Sequence, residues 1–218
     1  MTTPADASDG RVTLVDEVDP RPVLRREVLV RGRIIDVVRD EVDLGDAGVV
    51  SREYVEHPGA VAIVALDEQE RVLLLRQYRH PVRSFLWEVP AGLLDVEGEP
   101  AVVAAARELG EEADLTAESW SVLADYSTTP GSSDEAVRVF LARGLGAVAD
   151  ADRHVRTGEE VGMELRWVPL DEAVARVLDG SLHNPSAVVG VLAAAASRAG
   201  GWASLRPADA PWPSRPGA

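Results

Sequence analysis

Residues 92–115 read GLLDVEGEPAVVAAARELGEEADL. The second half predicts a helix. Pro100 suits the first helical position, where a missing N–H costs nothing, and alanines, the best helix formers, follow it. At about 100° per residue, Val102, Ala105, Ala106, Leu109 and Ala113 share an apolar face. Glu108, Glu111 and Glu112 fall together on the other side, at spacings of three and four. Each like-charge pair at such spacing destabilises a helix by roughly 0.2–0.5 kcal/mol, and carboxylates in the last turns oppose the helix dipole. A solvated acidic face is the plain reading of such a cluster. The other reading is a bound divalent cation, since hard cations prefer carboxylate oxygens and would cancel the repulsion. Arg107, four residues before Glu111, can brace one carboxylate from the same side.

This stretch resembles the Nudix box, G-x5-E-x7-R-E-U-x-E-E-x-G-U, where U is a bulky aliphatic residue. Glu99, Arg107, Glu108, Leu109, Glu111, Glu112 and Leu115 match in register. Two positions depart from the pattern. Gly92 lies seven residues before Glu99 instead of six, which lengthens a loop. Asp114 stands where the family has Gly, at an expected left-handed helix end where Asp is tolerated at modest cost. The resemblance implies an α/β Nudix fold, a mixed sheet between helices with a loop–helix–loop catalytic motif. It implies hydrolysis of a pyrophosphate that joins a nucleoside to another group. It also implies Mg²⁺ or Mn²⁺ held by Glu108, Glu112 and Glu111, with the backbone carbonyl of Ala91 as a further ligand. Arg107 and Glu111 are counted among the catalytic residues, Arg107 together with Glu99 as a group that orients the helix. Glu99 also reads as an acid favoured near a helix N-terminus.

The flanks narrow the resemblance to the ADP-ribose pyrophosphatases of actinobacterial type. They share the segment from Glu88 to Leu94, Gln77-Tyr78-Arg79, and the Pro130–Glu135 segment, whose proline lies fifteen residues past Leu115. The activity implied is release of AMP and ribose 5-phosphate from ADP-ribose. Hydrolysis of other nucleoside diphosphate sugars and a non-catalytic ADP-ribose sensor are the alternatives. Candidate substrate residues are Arg52, Arg79, Glu88 and Glu135. Guanidinium binds phosphate bidentately, although Arg52 also reads as a surface arginine and Glu88 as the partner of one. The Pro130–Glu135 segment alone would pass for a turn. The family draws its catalytic base from a loop after the core strands. Here that is 144–162, where alignment on Met163 and Trp167 favours Glu160 over Glu159.

The whole chain fits this frame. Its 218 residues allow one domain and a smaller unit. Residues 1–22 are expected to fray. Residues 23–57 are expected to form a small β-sheet domain, with strands at 28–30, 33–38 and 49–55 and a turn at Gly45–Gly48. Such a sheet is too small to stand alone, and the resembling enzymes exchange it in a homodimer. Residues 58–199 would be the hydrolase domain, with a hairpin of Ala60–Leu66 and Val72–Tyr78, further strands at 120–126, 136–143 and 163–168, and helices at 170–178 and from Pro185. Residues 200–218 form a tail whose tryptophans suggest packing. There is no cysteine, which excludes disulfides and thiolate chemistry. The N-terminus has no signal-peptide pattern, and no apolar run reaches the ~18 residues of a membrane span, so a cytoplasmic protein is expected. The formal net charge of −15 argues against nucleic-acid binding. It also requires local arginines and metal to reverse the field around an anionic substrate.

Overall fold

The structure, a computed structural model, describes residues 14–155 and 162–215. Strands β1 (Val23–Arg31), β2 (Asp36–Asp43) and β3 (Val49–Glu56) form a separate antiparallel sheet. β2 starts later than the expected 33–38 strand, because Gly32 donates to the Ile35 carbonyl at 3.0 Å and closes a turn there. The turn at Gly45–Ala47 is present. On this sheet Asp40 is buried, and it accepts from Arg26 Nε at 3.0 Å and from the Tyr54 hydroxyl at 3.0 Å. The sheet is stitched to the rest of the chain where Val55 donates to Ser132, Asp134 to Val55, and His57 to the Asp134 carboxylate. Residues 14–22 carry no regular structure and are exposed; 1–13 lie outside the described residues.

The main body holds two more sheets. A five-stranded mixed sheet has the order β11 (Arg206–Pro207), β8 (Leu115–Ser127), β9 (Ala136–Ala147), β4 (Ala60–Ala65), β7 (Ala91–Leu93), with β4 and β9 parallel. A three-stranded antiparallel sheet has the order β10 (Glu164–Pro169), β5 (Arg71–Arg79), β6 (Ser84–Glu88). The expected β4–β5 hairpin is therefore corrected. Its turn forms, with Asp67 bonded to Arg71, but the ladder is the single bridge Leu66↔Val72. β4 pairs with β9 along one edge and with β7 over Ala60–Ala62 on the other, while β5 takes β6 and β10 as its partners.

Helix α1 (Ala101–Ala113) covers one side of the five-stranded sheet, packing Ala104, Ala105, Leu109 and Ala113 on Val61, Ile63, Val122 and Phe140. Helix α3 (Pro185–Ala199) covers the other, against Ala62, Val64, Val139 and Leu141, and α2 (Leu170–Leu178) packs beside it on β5 and β10 of the three-stranded sheet. The alternation along β4 and β9 is what feeds both layers. α3 begins at Asn184, whose side chain caps Ala187 N–H at 3.0 Å. α3 comes close to the sheet at Gly190, where a Cβ would lie 2.8 Å from Val64. None of the described helices is long and apolar enough to cross a membrane.

Candidate active site

The box is a strand, a loop and a helix locked together by the glutamates. Pro100 precedes the first helical residue and is not itself that residue. Its carbonyl accepts from Val103 and Ala104, and no side chain caps this end. The helix ends at Asp114 with φ 55° and ψ 34°, the left-handed backbone the sequence anticipated, and the Asp114 N–H returns to Gly110 and Leu109. Val102 is half-buried and Ala106 exposed, so Ala104 takes the place given to Ala106 on the apolar face.

The acidic face is not solvated. Glu112 is 8% exposed, and its Oε2 accepts the Ala91 N–H at 2.9 Å. Glu108 reaches the β7 backbone in the space a side chain at Gly92 would fill: a Cβ there would lie 1.9 Å from the Glu108 carboxyl carbon. Burial pushes the Glu108 carboxyl above its ordinary value, Arg107 pulls it back, and Glu111 and Asp95 push it further up. Asp95 is the carboxylate that sequence reading passed over; an acid three residues past Gly92 in the box loop was the available signal. Arg107 ties the group together, donating to Glu99 at 3.3 and 3.2 Å, to Glu108 at 2.5 Å and to Glu111 at 3.4 Å. Those bonds, that to Glu99 first, raise the Arg107 pKa further above its ordinary value. Arg107 thus braces three carboxylates, whereas spacing alone offered Glu111.

Arg79 and Glu88 form a bidentate pair, at 2.9 and 2.7 Å, with Glu88 2% exposed. Glu88 lies three residues before Ala91, so the pair stands at the chain entrance to the box. Glu135 accepts from the Thr128 hydroxyl at 2.8 Å and lies 3.6 Å from His57 Nε2. Arg52 is exposed on β3 and donates to the Ser51 carbonyl at 2.9 Å; no bond among the described residues joins it to the box. Glu159 and Glu160 lie outside the described residues. The stem of their loop is described, and His154 lines a cavity of about 310 Å³ together with Arg107 and Glu111.

Three buried or half-buried carboxylates on one helical stretch, beside the strand backbone at Ala91 and Gly92, are a donor set suited to a hard divalent cation. In this arrangement Arg107 supplies the positive charge, and no three His, Asp or Glu of the described residues converge as a ready cation cage.

The NUDIX domain family model matches residues 56–187. The chain is 49% identical over 190 residues to the ADP-ribose pyrophosphatase of Mycobacterium tuberculosis (strain ATCC 25618 / H37Rv), covering 87% of this chain and 90% of that protein. It is 35% identical over 154 residues to the ADP-ribose pyrophosphatase of Bacillus subtilis (strain 168), covering 71% and 81%. A crystal structure of an ADP compounds hydrolase superposes with a TM-score of 0.69 at 21% identity, covering 86% of this chain and 98% of that one, a likeness of fold.

Proposed function

The chain belongs to the Nudix hydrolases, and from that premise we propose that its reaction is hydrolysis of the ADP-ribose pyrophosphate to AMP and ribose 5-phosphate. The observation that carries the reading is the buried carboxylate cluster, in box register, in a chain nearly half identical to an ADP-ribose pyrophosphatase. Nudix hydrolases in general use divalent metal ions. We take the ion here to be Mg²⁺ or Mn²⁺, held by Glu108, Glu111 and Glu112 with the carbonyl of Ala91. When bound, it neutralises phosphate charge and lowers the pKa of bound water.

The chain's own residues do the rest. Phosphoryl attack needs alignment and charge neutralisation more than covalent help. Arg107, anchored on Glu99, holds the helix turn that presents the carboxylates. Arg79, set by Glu88, and Arg52 offer guanidinium forks to the two phosphates, while Glu88 and Glu135 orient the nucleoside side. Glu160 takes the proton from the attacking water, and Glu111 is the fallback for that step. Support for a loop base is that the loop's stem reaches the Arg107–Glu111 side of α1 at His154. A loop base can close only once substrate is seated.

In the same reading residues 23–57 are a small domain exchanged in a homodimer, 58–199 the catalytic domain and 200–218 a tail. The substrate is a small molecule, with no nucleic acid or membrane partner. The enzyme works in the cytoplasm. The test is a panel of nucleoside diphosphate sugars and dinucleotides with Mg²⁺, products separated by anion exchange. ADP-ribose should give the highest kcat/KM. A preference of tenfold or more for another nucleoside diphosphate sugar would replace the substrate and keep the chemistry. No turnover of any member would overturn the enzymatic reading.

A further inference from the structure

We infer that the C-terminal segment Arg206–Arg215 is a brace for the box, and that Arg138 and Trp212 are positioning residues for the hydrolytic reaction. The inference rests on the reading of the box as the catalytic element. The segment lies beyond the residues matched by the family model.

Arg206 and Pro207 extend the five-stranded sheet by pairing with Val122 and Ser121 of β8. The chain then turns, and Ala208, Ala210 and Trp212 pack in the apolar layer that holds Ala101 and Val102 of α1. Arg138, on β9, shares the register of Phe140 and Ala142, which face α1, and is 3% exposed. Its guanidinium makes four hydrogen bonds. Two go to Asp125, at 2.8 and 3.0 Å, and two to the tail, reaching the Ala210 carbonyl at 2.6 Å and the Pro211 carbonyl at 3.1 Å. The Trp212 ring covers it at 4.7 Å, and Arg206 shares Asp125 at 2.8 Å. A well-packed apolar residue is often no worse for stability than a buried ion pair. What an arginine adds here is a fixed seat for two particular carbonyls of the tail. Beyond Trp212, Arg215 joins the wall of a cavity of about 650 Å³ that also exposes the box loop from Leu94 to Glu99. The first turn of α1 has no side-chain cap among the described residues, so its direction rests on packing, to which the tail contributes through this shared apolar layer. Glu108 and Glu112 ride on the same helix, and a misplacement of about 1 Å at a reacting centre can cost 10²-fold in rate.

The test compares Trp212→Ala and Trp212→Phe in the full chain, with Asp209→Ala as an exposed tail control. Among the described residues Trp212 Nε1 has no hydrogen-bond partner, so phenylalanine keeps what the ring is used for. Hydrogen exchange of residues 94–105 is followed by mass spectrometry without substrate, and kcat and KM are measured separately with ADP-ribose. The expected result for Trp212→Ala is exchange at 94–105 at least tenfold faster and kcat at least tenfold lower. KM should stay within about threefold, and β4 and β9 should remain protected. Trp212→Phe should restore both readouts, and Asp209→Ala should change neither. Unchanged exchange at 94–105 in Trp212→Ala, or equal loss in Trp212→Phe, would overturn the brace. Because exchange is read without substrate, the exchange response in Trp212→Ala together with a wild type that leaves ADP-ribose intact would overturn the functional reading and keep the brace.

Discussion

Replacing Gly92 with alanine separates the two roles of the box, holding the fold and holding Glu108. The added Cβ would fall 1.9 Å from the Glu108 carboxyl carbon, 2.1 Å from Oε1 and 2.4 Å from Cγ. Carbon atoms settle about 3.5–4.0 Å apart, so the carboxyl must retreat by roughly 1.5–2 Å. The obstacle is the far end of a flexible side chain, so the retreat costs the fold little. The left-handed conformation that favours glycine is absent at Gly92. Alanine should then return about 0.4–1 kcal/mol through the unfolded state. The melting temperature should therefore move by less than about 4 °C, since 1 kcal/mol shifts a domain of this size by about 2–4 °C. Activity should respond very differently. A displacement above 1 Å predicts a loss of about 10²-fold or more in kcat, about 2.7 kcal/mol of transition-state stabilisation. Steady-state hydrolysis of ADP-ribose with Mg²⁺, beside a thermal melt, reads both quantities. A Gly92→Ala protein with near-normal kcat would refute the place assigned to the Glu108 carboxylate. A large drop in melting temperature would refute the claim that Gly92 serves the carboxylate more than the fold.

Glu112→Gln keeps an acceptor for the Ala91 N–H and removes a charge; kcat should fall by two or more orders of magnitude with melting in chelator unchanged or raised, and normal turnover would dismiss Glu112 as a ligand. Glu160→Gln should lower kcat about 10²-fold with KM nearly intact while Glu159→Gln does much less, and equal mild effects would return the search for the base to Glu111. Sedimentation at micromolar concentration should show a dimer; a fully active monomer would end the exchange of residues 23–57. The hydrogen bonds from Arg26 hold the Asp40 carboxyl below its ordinary value, so its stabilising contribution is complete above about pH 4, where the unfolded carboxyl is ionised, and is lost as pH falls through the lower native value. Asp40→Asn should flatten the acid side of the melting profile, and an unchanged slope would show that Asp40 does not govern it.

The parts legible in the sequence were those written in local spacing. The box register and the left-handed cap at Asp114 are each set by residues within a few positions of one another, and both stand as read. Partnerships across the fold were less visible. Arg107 was assigned to Glu111 by helical spacing, yet its long side chain reaches back across the box loop to Glu99 and sideways to Glu108. The β4–β5 hairpin looked right by turn chemistry, but β4 pairs with β9 and β7 while β5 takes β6 and β10. The Arg138–Asp125 pair and its hold on Ala210 and Pro211 join three separate stretches, and no period or spacing in the sequence announces them. The tail tryptophans did hint at packing, and Trp212 bears that out.

In the proposed reaction water cuts the ADP-ribose pyrophosphate only when the box carboxylates hold a divalent cation. The measurement closest to it is AMP release from ADP-ribose by chelator-stripped enzyme as Mg²⁺ is raised from zero. No release is expected without the cation, with a saturable rise as it is added and AMP and ribose 5-phosphate in equal amounts. Release at the same rate in the stripped enzyme, or none at any Mg²⁺ concentration, would contradict this expectation.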